Sequence, residues 1–275
     1  MNFQDLKVLL KKYNLKPNFT YGQNFLVDET VLDNIVEASG VSLKDQVLEI
    51  GPGIGNLTEK LLQKAGFVLS VEKDKKFLPI LRKLKKKNKN FEFQIEDVLK
   101  FNFQEFFIKR TKKDYRVVAN IPYFITGKIL QILLAAKHKP VSITLLTQKE
   151  VSKNIIAKEG KMSIPAIAVQ IFGKPSIIKN VKASSFYPAP KVDSSILHIE
   201  VFRKPKYKIE NEKKFFRVVK ACFSGKRKQI HNTLVNNLHL KKELVNNILS
   251  GLKIKPAARP QELSIEDWIN LTNLI

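Results

Sequence analysis

Gln46-Val47-Leu48-Glu49-Ile50-Gly51-Pro52-Gly53-Ile54-Gly55-Asn56-Leu57-Thr58 decides how this chain folds. Gln46–Ile50 reads as a central strand. It runs straight into three glycines, and Asn56-Leu57-Thr58 opens a helix through about Lys64. Glycines between a strand end and a helix start let a ligand approach the backbone closely. A second strand, Phe67–Val71, ends in Glu72. The distance from Gly55 is 72 − 55 = 17 residues, near the roughly 20 that separate the glycines from a ribose-binding carboxylate in nucleotide-binding βαβ units. The expected fold class is therefore α/β, a Rossmann-like sheet with helices on both faces.

Two nucleotide ligands compete for that loop. A dinucleotide site wants G-x-G-x-x-G, and here Asn56 stands where the third glycine would fall. Glu49 would be unfavourable beside a pyrophosphate. It suits a ligand with an ammonium group, or a structural role bonding the N–H groups of the loop. S-adenosylmethionine has a ribose, an adenine and an ammonium but no phosphate, and fits better. Gly51, Gly53 and Glu72 are its candidate contacts. Asp97 follows a third strand, Phe91–Ile95, where a carboxylate can accept a bond from an adenine amine.

Asn120-Ile121-Pro122-Tyr123 leaves a further buried strand, Tyr115–Ala119, ahead of a helix that begins after Thr126. Open α/β sheets place their ligands in such loops. The Asn120 side-chain carbonyl can accept from an exocyclic amine. Proline holds the residue before it extended, so neighbouring carbonyls can point outward. The ring of Tyr123 can stack on a base, and the alternative is a turn with a buried tyrosine. Further strands are expected at Val141–Thr147, Ser176–Val181 and Ser195–Phe202. Phe186-Tyr187-Pro188-Ala189-Pro190-Lys191-Val192-Asp193-Ser194 lies between the last two, and its prolines argue for a stiff loop rather than strand or helix. Its aromatics and lysine suit a base-binding wall, and the alternative is a packed surface loop.

The chain has 275 residues, 44% of them hydrophobic, enough for one large domain and a small one. We expect a sheet domain over 1–203 and a small all-α domain over 204–275. The latter carries 15 basic and 6 acidic residues, a net of +9. Within it, Phe223–Lys228 could track phosphates. Net charge over the whole chain is +24, which points to a polyanionic partner, nucleic acid ahead of an anionic membrane. The basic run Arg82–Lys89 reads more simply as a solvated helix end. The single Cys222 excludes an internal disulfide, and the four histidines lack metal-ligand spacing. With no apolar run of signal or span length, a cytoplasmic protein without bound metal is expected.

Together these residues resemble the ribosomal RNA adenine dimethyltransferases, from about Gln23 to the C-terminus. Six motifs carry the resemblance in order: Gln23-Asn24-Phe25-Leu26, Glu49–Thr58, Val71-Glu72-Lys73-Asp74, Glu96-Asp97, Asn120–Tyr123 and Phe186–Ser194. It implies S-adenosylmethionine as methyl donor, with Asn24, Leu26, Gly51, Glu72, Asp97 and Asn120 at cofactor-contacting positions. Glu72 would hold the ribose hydroxyls and Asp97 the adenine amine. The implied substrate is a pair of adjacent adenosines near the 3′ end of small-subunit rRNA, each methylated twice on N6, in a maturing 30S particle. Asn120 and Pro122 would hold the amine, and Tyr123 and Phe186 would sandwich the base. A monomer is expected. Two departures stand out: Ile121 where leucine is commoner, and Phe124 where many relatives carry a polar residue. Rival readings are a methyltransferase acting on large-subunit rRNA and a non-catalytic RNA-binding assembly factor.

Overall fold

All five residues of Gln46–Ile50 are buried, as expected of a strand covered on both faces of a parallel sheet. A computed structural model describes residues 3–110, 114–225 and 228–275. In chain order the elements are α1 (Phe3–Lys12), β1 (Phe25–Leu26), α2 (Glu29–Ser39), β2 (Gln46–Ile50), α3 (Asn56–Lys64), β3 (Phe67–Glu72) and α4 (Leu78–Lys87). There follow β4 (Phe91–Ile95), α5 (Phe103–Arg110), β5 (Tyr115–Asn120), α6 (Thr126–Ala135), β6 (Ser142–Gln148) and α7 (Lys149–Ile155). Then come α8 (Ile164–Gln170), β7 (Gly173–Val181), β8 (Phe186–Tyr187) and β9 (Ser194–Val201). Helices α9 (Glu212–Phe223), α10 (Ile230–Leu238), α11 (Lys242–Gly251) and α12 (Ile265–Leu274) complete the chain.

The main sheet has the strand order β4-β3-β2-β5-β6-β9-β7. Strands β2 to β6 pair in parallel, and β9 runs antiparallel to β6. The chain winds outward from β2 through β3 to β4, then returns to place β5 on the other side of β2. That reversal opens a crevice at the carboxyl ends of β2 and β5, where doubly wound sheets bind ligands. Local chemistry fixes the helices that follow. Asp28 caps α2 by accepting from the Val31 N–H at 3.3 Å, and Gly40 closes it with φ of 60°.

One expectation is corrected. Phe186-Tyr187 is not loop but the short strand β8, antiparallel to β1, with Leu26 opposite Phe186. The prolines lie just beyond it, at 188 and 190. They therefore remove no donor from the two residues that pair.

The chain divides into two compact units, Met1–Ser152 with Pro175–Val201, and Lys153–Lys174 with Phe202–Ile275. The second takes in Lys153–Lys174, which the sequence reading groups with the sheet. The physical reason is apolar: Met162, Ala166 and Ile167 share one core with Phe215, Val245 and Trp268. Trp268 is fully buried and packs 5.6 Å from the Phe223 ring. Cys222 lies in the same core, where burial pushes its thiol up to about 11, so it acts as a small apolar residue. Among the described residues no helix is long and apolar enough to cross a membrane, and no three metal-binding side chains cluster.

Candidate cofactor and base site

The loop after β2 is built on left-handed backbone. Gly51, Gly53 and Gly55 have φ of 68°, 54° and 85°, a region that costs any L side chain energy. Space is also short at Gly55, where a Cβ would come within 2.7 Å of the end of the Leu84 side chain, whereas one on Gly53 would make ordinary contact with the Phe25 ring at 3.6 Å.

Glu72, at the end of β3, reaches back under this loop. Its Oε2 accepts from the Gly53 N–H at 3.0 Å and its Oε1 from the Asp74 N–H at 2.8 Å. Burial pushes this carboxyl up, and the two N–H bonds oppose the shift. An N–H already spent on a carboxylate is poorly placed to cradle a phosphate. The loop therefore favours a ligand with neutral hydroxyls and no pyrophosphate.

Glu49 does something other than either role expected of it. Its side chain does not line the cavity or bond the loop. It is buried between α3 and β3, where one oxygen accepts from Thr58 at 2.8 Å and Ser70 at 2.5 Å. The hydroxyls at 58 and 70 are the signal in the sequence that pointed to this.

Asp97 follows β4. Its Oδ2 takes the Lys73 ammonium at 2.9 Å and its Oδ1 the Leu99 N–H at 3.0 Å. The bond from Lys73 holds this carboxyl below its ordinary range. Lys73 was missed in the sequence, although it sits beside Glu72. The sequence reads Asn56 as an absent third glycine and as the opening of a helix. Asn56 lines the cavity and donates to the Leu26 carbonyl at 3.0 Å. Its buried Oδ1 has no hydrogen-bond partner among the described residues.

Asn120 ends β5. Its Nδ2 donates to the Asn24 carbonyl at 3.3 Å. The amide is thereby oriented with Oδ1 as the free acceptor. The Pro122 carbonyl accepts from the Ile125 N–H at 3.2 Å, so one of its two lone pairs remains. The Tyr123 hydroxyl lies 2.7 Å from Ser194 Oγ.

Every expected cofactor residue lines one cavity, from Asn24 and Leu26 through Gly51, Gly53, Glu72 and Asp97 to Asn120, and so do Pro122 and Tyr123. Phe186 does not. It is 4% exposed, packed in the apolar core beneath the β1–β8 ladder. Of the basic Lys226-Arg227-Lys228 stretch, the first two lie outside the described residues.

The family model described as Ribosomal RNA adenine dimethylase matches residues 14–275. Ribosomal RNA small subunit methyltransferase A of Dehalococcoides mccartyi is 38% identical over 265 residues, covering 96% of this chain and 90% of that protein. The protein of the same name from Clostridium botulinum is 38% identical over 271 residues, 98% of each chain. Among solved structures, a dimethyladenosine transferase from Plasmodium falciparum superposes with a TM-score of 0.77 at 28% identity, covering 90% of this chain and 95% of that one. The 23S rRNA methyltransferase ErmE gives 0.72 at 25% identity, covering 91% and 99%. A match that runs from residue 14 to residue 275 spans both units, and the chain belongs to the ribosomal RNA adenine dimethylase family.

Proposed function

We propose that this enzyme dimethylates N6 of two adjacent adenosines near the 3′ end of small-subunit rRNA, with S-adenosylmethionine as donor. One observation carries the reading: Asn120 has its amide nitrogen committed to Asn24 and its oxygen free, in the same cavity as Glu72 and the glycine loop. When bound, the cofactor supplies an electrophilic methyl on a sulfonium sulfur. Glu72 suits its ribose hydroxyls and Asp97 its adenine amine.

The N6 lone pair of adenine is delocalised into the ring and is a poor nucleophile. Acceptor bonds from Asn120 Oδ1 and the Pro122 carbonyl favour a more tetrahedral nitrogen with a localised lone pair. No ionised base is needed before attack, because the N6 proton becomes acidic once the nitrogen is alkylated. Rate then comes from positioning and desolvation. A base in a helix must be splayed out to arrive, and Tyr123 offers it a face. The basic helical region 204–275 suits the phosphate backbone. We place the enzyme in the cytoplasm, acting as a monomer on a maturing 30S particle.

The fold does not separate small- from large-subunit enzymes, since ErmE shares it. The nearly full-length relatives named for the small subunit favour that substrate. Radiolabelled S-adenosylmethionine, offered separately to undermodified small and large subunits, tests the choice. Dimethyladenosine in small-subunit RNA is the expected product. Label confined to large-subunit RNA would refute the reading.

Ser194 is cast as a positioning residue. It is fully buried at the start of β9, opposite Gln148 of β6, and holds the Tyr123 hydroxyl. Removing that anchor with Ser194→Ala should lower the single-turnover rate about tenfold, within the range by which small misplacements slow catalysis. Tyr123→Phe should give a similar loss and the double variant no more than either, with cofactor affinity unchanged. Multiplicative losses would show that the two residues act separately.

A further inference from the structure

The cavity that holds the candidate site has an aromatic rim. Phe124, the residue after the base-binding turn, is 71% exposed. Tyr21, ahead of β1, is 37% exposed. Both line the cavity together with Tyr123. Among the residues whose burial is described, Phe3 joins these two as an exposed large aromatic. Leaving a phenylalanine face in water gives up the gain of burying it, so two such rings at one opening call for an occupant.

Gly22 sets how the rings stand. It follows Tyr21 directly, and a Cβ placed on it would meet Pro122 Cβ at 3.3 Å and the edge of the Phe124 ring at 3.4 Å. The bare backbone of Gly22 therefore leaves room for the Phe124 side chain beside Pro122. Its φ of 60° adds a second barrier to any side chain there. The lip is thus built from two separate segments of the chain, 21–22 and 122–124.

We propose that this lip is a second base platform, on which Phe124 and Tyr21 stack a nucleobase adjacent in the strand to the one in the cavity. This rests on the rRNA methyltransferase reading. A nucleotide pulled from a helix strips its neighbour of a stacking partner. A sequence-tolerant aromatic face restores that partner. Lys73, paired with Asp97 at 2.9 Å, holds its ammonium 5.9 Å from the centre of the Tyr21 ring and so ties the platform to the edge of the cavity.

The test uses the full chain and undermodified small subunits, with binding and single-turnover transfer measured side by side. Phe124→Ala should weaken subunit binding about tenfold, the scale of one lost base–aromatic stack. Affinity for S-adenosylmethionine should stay within twofold. Phe124→Trp should restore binding, and Phe124→Leu, apolar but without a π face, should not. The platform is overturned if Phe124→Ala binds like the wild type, or if Phe124→Leu rescues as well as tryptophan. It is overturned too if cofactor affinity falls in parallel, because the lip then belongs to the cofactor pocket. A wild-type protein that neither binds nor methylates small subunits overturns the underlying function, and the platform with it. A competent wild type with an unaffected Phe124→Ala overturns the platform alone.

Discussion

Asn120→Ala should reduce methyl transfer to small-subunit RNA by about 100- to 1,000-fold, the loss typical of deleting one preorganised hydrogen-bonding group at a reacting centre. The reason lies in what the side chain is already doing. Its Nδ2 is fixed by the Asn24 carbonyl at 3.3 Å, so Oδ1 needs no reorganisation to meet an amine. Alanine keeps the strand end and removes the acceptor. The Pro122 carbonyl cannot take over both roles, since it already accepts from Ile125. Binding of RNA should change little, because affinity for a polyanion comes mainly from basic residues elsewhere. Equilibrium binding and single-turnover transfer on the same subunits separate the two effects. Turnover within threefold of wild type would show that the acceptor bond is not what activates the nitrogen.

Much of this site was legible before any coordinates. The glycine loop, Glu72, Asp97 and Asn120 each terminate or follow a strand, and parallel strands bring their carboxyl ends to one edge of the sheet. A reader who recognises four such strands can therefore place their loops together. What stayed hidden depends on how side chains pair across elements. Glu49 and Glu72 are both acids at strand ends, yet one faces the cavity and the other is sealed between α3 and β3. Nothing in the spacing distinguishes them without the partners Thr58 and Ser70. Phe186 looked available because prolines follow it. Pairing of β8 with β1 buries it instead, and that depends on a partner more than 150 residues away. The segment 153–174 shows the same limit, since its apolar residues are equally suited to either core until the chain is folded.

Glu49 carries the second large effect, on stability rather than rate. Burial pushes its carboxyl up to about 7, with the nearby Glu72 acting in the same direction and the Ser70 and Thr58 hydroxyls opposing. Below the ordinary glutamate value of 4.5 the group is protonated in both folded and unfolded chains. Between 4.5 and about 7 the folded protein keeps a proton that the unfolded chain has released. Stability therefore falls as pH rises through this window and levels off above it. At about 1.4 kcal/mol per unit, the group accounts for a loss of roughly 3 kcal/mol. The expected result is a urea midpoint lower at pH 8 than at pH 5. Glu49→Gln cannot ionise, and its carbonyl can still accept from both hydroxyls. Its amide nitrogen falls where Glu49 Oε1 has no partner among the described residues, a fixed cost of about 1–3 kcal/mol at either pH. The variant should thus be the less stable protein at pH 5 and close to wild type at pH 8, its stability relative to wild type rising by roughly 3 kcal/mol across the interval. The site makes the sign matter. Glu49 ties α3 and β3 together through the Thr58 and Ser70 hydroxyls, the two elements that flank the glycine loop and carry Glu72, so a change in its charge falls next to the cofactor cavity. A stability difference between the two proteins that does not change with pH would show that Glu49 titrates normally.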